Sequence, residues 1–279
     1  LCAGALRAGV RGNHRYHRRL EREAGGDRIL DLAAAFVVHT LAASGAVVGV
    51  IGGVGAWVFR LMIGMVHDLA FAGRFDPVYD ASRHTPSFPF GPAVVAVPVI
   101  GSAIVVYLVN HHAPEASGHG VPEVMLAIDK QGGKIPFRVA LIKAIVSSIS
   151  IGSGGSVGRE GPIVQIGSSL GSSLGQLFKL SKEKIRILVA CGAGGGIAAT
   201  FNAPLAGIFF ALEVIMRDYS PRHISSIILS SVIATVVSRS YLGNNPAFDI
   251  PAYQMKSAWE ILFYMAFGIL AAGTAFLFI

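Results

Sequence analysis

Apolar runs that reach bilayer length, broken elsewhere by glycine and proline, constrain this chain more than any other feature. A helix needs roughly 20 apolar residues to cross the hydrocarbon. Residues 29–66 form the first run, interrupted only by a few polar positions such as Asp31, His39 and Arg60. It exceeds one crossing, so it is expected to tilt or to extend beyond the bilayer. Residues 92–109, 224–242 and 257–279 are further spans. Between them lie shorter pieces: an amphipathic stretch at 123–129, and apolar stretches at 136–149, 162–178, 187–200 and 204–216. Gly152-Ser153-Gly154-Gly155-Ser156-Val157-Gly158 and Asn202-Ala203-Pro204 interrupt this central part. Backbone groups in hydrocarbon must bond internally, and irregular backbone survives there only beside protein or a cavity. The pattern therefore predicts an all-α polytopic bundle with broken and re-entrant helices. Transporters use such breaks to bring helix ends to a substrate.

Composition agrees. Only 14% of the 279 residues are charged, against about 25% in soluble domains. The net charge of +7 does not point to nucleic acid, because much of it precedes the first apolar run. Arg7, Arg11, Arg15, Arg18, Arg19, Arg22 and Arg28 mark residues 1–28 as a cytoplasmic basic lead-in, and 29–279 as the transmembrane domain. The basic stretch and the apolar run behind it are too long for a signal peptide. A loop at 73–91 is expected on the opposite side. Lys179, Lys182, Lys184 and Arg186 mark a cytoplasmic turn. Cys2 and Cys191 fit no metal or redox motif, and no cofactor is expected.

Two Gly-rich segments, 118–122 and 158–162, lead into short helices. A helix N-terminus carries unpaired N–H groups and partial positive charge, so it holds an anion without a full cation. Gly118, His119, Gly120 and Val121 form one candidate anion site; Arg159, Glu160 and Gly161 form the other. Glu160 is either a helix-capping acid or a gate. In a break within a membrane helix the second reading prevails: its carboxylate occupies the anion site and leaves on protonation. Arg159 is its expected electrostatic partner. Lys143, in an apolar stretch, either adds positive potential to the pathway or snorkels; Arg138, nearer a helix start, snorkels. Glu213 belongs either to a proton or ion route or to a buried hydrogen-bonded pair. His119, between two glycines, is expected to line the site.

These motifs resemble the CLC family of chloride channels and chloride/proton exchangers. Gly158-Arg159-Glu160-Gly161-Pro162 matches its GREGP signature, and Gly118-His119-Gly120-Val121-Pro122 is similar to its GSGIP motif. Phe201-Asn202-Ala203-Pro204-Leu205-Ala206-Gly207 resembles a third family stretch, and Lys143 has the spacing of the family's buried lysine. The resemblance covers residues from about 30 to the end. It implies one half of an inverted repeat, with a second half beyond Ile279. It implies transport of chloride, with protons as the second cargo in the exchanger form, in the plasma (inner) membrane. It also implies a homodimer joined partly through helices near 203–216 and 224–242. By resemblance Glu160 is the gating glutamate, and His119 replaces the serine that contacts the central anion. Exchangers usually carry two successive acids where this chain has Glu213-Val214; the apolar Val214 implies channel-like behaviour or weak proton coupling.

Other classes fit less well. Ser153 and Ser156 in a Gly-rich turn suggest an intramembrane serine enzyme, but the histidines fall in loops or near ends. A phosphate loop lacks its Gly-Lys-Ser/Thr ending. A carrier for organic anions needs a larger cavity.

Overall fold

All regular structure in the described residues is helical. A computed structural model describes residues 41–73, 91–244 and 254–278, without the side chains of residues 221 and 222. The lead-in 1–28, the start of the first span at 29–40 and nearly all of the loop 73–91 lie outside the described residues. The chain divides into two compact units, residues 1–245 and 246–279.

The first unit opens with α1 (Leu41–Phe71). Its 31 residues extend about 46 Å at 1.5 Å each, well beyond the ~30 Å hydrocarbon. A 3₁₀ turn (Gly91–Val95) runs into α2 (Ala96–His112). Pro98 sits in the first turn of α2, where its missing N–H costs no bond. Then come α3 (Val121–Gln131), α4 (Phe137–Gly152), α5 (Glu160–Leu177) and α6 (Lys182–Phe201). At Asn202 the backbone turns left-handed, φ 56°, and Pro204 starts α7 (Pro204–Phe210). A π-helical stretch (Ala211–Met216) continues it, and α8 (Pro221–Leu242) follows. The second unit contains α9 (Glu260–Phe278), apolar and without a buried residue. The helices begin and end within a few residues of the sequence expectation. The largest differences are in α1, which runs five residues further, and α6, which starts five residues earlier.

Among the described residues, five helices are long and apolar enough to cross a membrane, with α2 counted together with its leading turn. The middle of the first unit is α5 against α6, where Ile163, Leu188, Val189 and Ala190 are fully buried or nearly so. Gly167 and Gly192 face each other there, and a side chain on either would collide with the other's carbonyl. The same device joins α1 to α8. Gly45, Gly49 and Gly53 recur every four residues, so they form one stripe. A Cβ at each would lie 2.6, 2.5 and 2.8 Å from the carbonyl oxygens of Ser226, Ser230 and Ala234. Small residues let helix backbones approach this closely, which lipid-solvated helices need because burial drives them little.

The turn between α3 and α4 has irregular backbone, and α5 satisfies it. Ser172 Oγ donates to Gly133 O at 2.6 Å and accepts from Ile135 N at 2.8 Å. Ser169 Oγ donates to Pro136 O at 2.9 Å, and Gln176 Nε2 to Ile135 O at 3.0 Å. These polar residues on α5 therefore lock a non-helical turn against the bundle.

Candidate functional site: a cavity between two glycine-rich helix starts

The segments before α3 and α5 meet. Gly118 and Gly120 hold φ of 77° and 98°, which only glycine adopts at little cost. They turn the backbone so that His119 O abuts Gly161. A Cβ on Gly120 would lie 2.6 Å from Gly161 O and 3.1 Å from Gln165 Cβ; one on Gly161 would collide with His119 O. Glycine at both positions is what allows this contact.

Beside the junction lies a cavity of about 540 Å³. Gly118, His119 and Val121 line it from the α3 side, and Gly158, Glu160, Gly161 and Pro162 from the α5 side. Val105 and Val109 of α2 close another wall, and α4 contributes Lys143, Val146, Ser147, Ser150 and Ile151. Glu160 is the first residue of α5 and is exposed toward this space; its carboxylate folds over Gly158. Pro162 lies in the first turn of α5, where an N–H has no helical partner to lose.

Lys143 is 3% exposed, so it does not snorkel. Its ammonium donates to Ala116 O at 2.9 Å and Gly118 O at 2.8 Å. It thus ties down the segment that carries His119 and faces the cavity as well. Opposite, the Glu123 carboxylate accepts from Gly120 N at 2.8 Å. The Glu at the third helical position reaching back to the residue before the helix is one arm of a capping box. Gln165 Nε2 donates to Glu115 O at 2.9 Å. Three side chains from α3, α4 and α5 therefore hold residues 115–120 in place.

The other sequence candidates fall elsewhere. Arg159 holds the position just before α5 without a side-chain capping bond; its guanidinium lies over the Phe201 ring, 5.9 Å from the centroid, and does not line the cavity. Gly120 does not line it either; its N–H is taken by Glu123. Glu213 is exposed on the π-helical stretch, so the expected burial is not observed. Partial desolvation, with the charge and hydrogen bond of Glu213, raises the Tyr219 phenol above its ordinary value. Arg138 is exposed, as a snorkelling residue would be, and pairs with Glu115 at 2.6 Å. Sequence reasoning missed Glu123, Ser147 and Ser150. The Gly120-to-Glu123 spacing signals the first, and the common helical face of positions 143, 147 and 150 signals the others.

The sequence pattern of the voltage-gated chloride channel family matches residues 101–279, which include both glycine-rich starts. The chain belongs to this family. Among CLC relatives, it is 40% identical over 162 residues to the H⁺/Cl⁻ exchange transporter ClcA of Vibrio campbellii, covering 56% of this chain and 35% of that protein. It is 32% identical over 237 residues to the chloride channel protein CLC-e of Arabidopsis thaliana, covering 82% and 32%. The crystal structure of a slow cyanobacterial Cl⁻/H⁺ antiporter has a similar fold, with TM-score 0.66 and 28% identity over 82% of this chain and 53% of that one. The chain thus spans about a third of these two relatives and half of the antiporter. CLC membership and the five apolar helices make it an integral membrane protein.

Proposed function

We propose that the cavity between α3 and α5 is part of a chloride pathway gated by Glu160. The observation that carries this reading is the meeting of two helix starts on one cavity with a carboxylate exposed into it. Partial positive charge at a helix start binds an anion while leaving it free to move on. The Glu160 carboxylate competes for the same place and is removed by protonation. Chloride is cargo, and no cofactor or enzymatic step enters.

Channel-like transport with weak proton coupling is the preferred form. Glu213 lies away from the cavity lining, and the next residue, Val214, cannot accept a proton. Proton-coupled antiport is the second reading, because relatives such as ClcA are named exchangers. The full-length protein is proposed to act as a homodimer in the plasma (inner) membrane, its N-terminus cytoplasmic. Exposed Leu205 and Phe209 on α7, and Ile228, Val232 and Val236 on α8, suit the dimer contact.

The test is flux through the full-length protein in liposomes, with chloride and protons followed together. Glu160→Gln mimics the protonated gate, so chloride flux is expected to persist and lose most of its pH dependence. Unchanged flux with unchanged pH response would reduce Glu160 to a helix cap. Uphill proton movement driven by a chloride gradient would favour the antiport reading.

A further inference from the structure

Ser147 stands out among the buried hydroxyls of the bundle. A serine within a membrane helix ordinarily bonds back to the carbonyl four residues earlier. Ser148, Ser173 and Thr235 do this, at 2.6, 2.7 and 2.8 Å. Others stitch helices together, as Ser230 does to Cys191 O and Ser238 to Ala199 O. No hydrogen bond among the described residues uses the Ser147 hydroxyl, and it is not among the sealed, unpartnered hydroxyls of Ser225, Ser226 and Ser231. The residue is 8% exposed, and the space it faces is the cavity of Glu160 and His119.

Its place on α4 is informative. Positions 143, 147 and 150 share one helical face, and all three line the cavity. Lys143 spends hydrogen bonds on Ala116 and Gly118. The Ser150 backbone carbonyl accepts from Gly155 N at 2.9 Å and Ser153 Oγ at 3.3 Å, which fixes the main chain at the end of this wall. No hydrogen bond among the described residues uses the Ser150 hydroxyl either, but Ser150 is only half-buried, so Ser147 is the one uncommitted hydroxyl of this face that is set inside the bundle.

Cavity size gives that donor a use. A volume of about 540 Å³ is many times the ~30 Å³ share of one water, so two helix starts on one side do not enclose an ion. An anion that sheds hydration needs replacement donors on its other sides.

We propose that Ser147 is a specificity-determining residue of the anion pathway, its hydroxyl donating to the anion from the α4 wall and favouring compact chloride over larger, more weakly hydrated anions. This rests on the chloride-pathway reading above. A compact ion concentrates its charge and gains more from each hydroxyl. Removing the donor therefore costs chloride more than nitrate.

The test is calorimetric titration of chloride and of nitrate into the purified full-length protein, as wild type and as Ser147→Ala, Ser147→Thr and Ser147→Val. A hydrogen bond to a charged partner corresponds to about tenfold in affinity. Ser147→Ala is expected to lose about tenfold for chloride and less for nitrate, while Ser147→Thr stays near wild type. Threonine and valine have nearly the same shape and differ in the hydroxyl, so that pair makes the same comparison if Ser147→Ala does not fold. Chloride affinity unchanged in Ser147→Ala, or equal in the Thr and Val variants, would overturn the proposal. A wild-type protein that binds neither anion would instead sink the pathway reading itself.

Discussion

Replacing Gly120 with alanine tests the junction of the two helix starts most directly. Gly120 has φ 98° and ψ −38°, a conformation that L-residues rarely adopt. Holding a residue with a Cβ there costs about 1–3 kcal/mol. The new methyl would also lie 2.6 Å from Gly161 O and 3.1 Å from Gln165 Cβ. The first neighbour is backbone at the start of α5 and the second is the root of a side chain, so neither can swing aside. Overpacking of this kind costs about 1–3 kcal/mol, for a total of about 2–6 kcal/mol. Relief requires α3 and α5 to part by several tenths of an ångström, which widens the site between their starts. Thermal unfolding in detergent and chloride titration of the full-length protein give the two readouts. Gly120→Ala is expected to lower the melting temperature by at least about 4 °C and to weaken chloride binding. Gly273→Ala is the control, because a Cβ there meets nothing within 4 Å among the described residues. Wild-type melting temperature and chloride affinity in Gly120→Ala would refute the reasoning.

His119→Ser is expected to keep chloride affinity within a few fold, since a hydroxyl can donate in place of the imidazole; a loss beyond tenfold in the same titration would show a contact that serine cannot make. The Glu115 carboxyl is held below its ordinary value of 4.5, first by a backbone hydrogen bond and then, against some desolvation, by Arg138. Its lowered folded value means the contribution is present above pH 4.5 and disappears as pH falls through the folded value. Both side chains are about half exposed, so Arg138→Ala is expected to cost less than about 1 kcal/mol at pH 7. That difference should shrink as unfolding is measured at progressively lower pH below 4.5; a large loss that persists once Glu115 is protonated would mean that Arg138 acts by packing.

Much of this protein follows from the sequence alone because the bilayer allows few solutions. Apolar runs of bilayer length must be helical, and Gly152–Gly158 and Asn202-Ala203-Pro204 must end helices wherever they fall. The start of α5 at Glu160 was legible in the same way: glycines before it, proline just inside it, a lone carboxylate between. What periodicity and motif could not decide was which group each side chain meets. Lys143 could equally snorkel or face inward until Ala116 and Gly118 offered it two carbonyls. Arg159 belongs to the signature motif, yet the ring of Phe201, 42 residues on, holds its guanidinium away from the cavity. The pairing of Gly120 with Gly161, and the opening of Ser147 onto their cavity, depend on how α3, α4 and α5 cross. Helix periodicity determines the face a residue occupies, but only packing determines what that face meets.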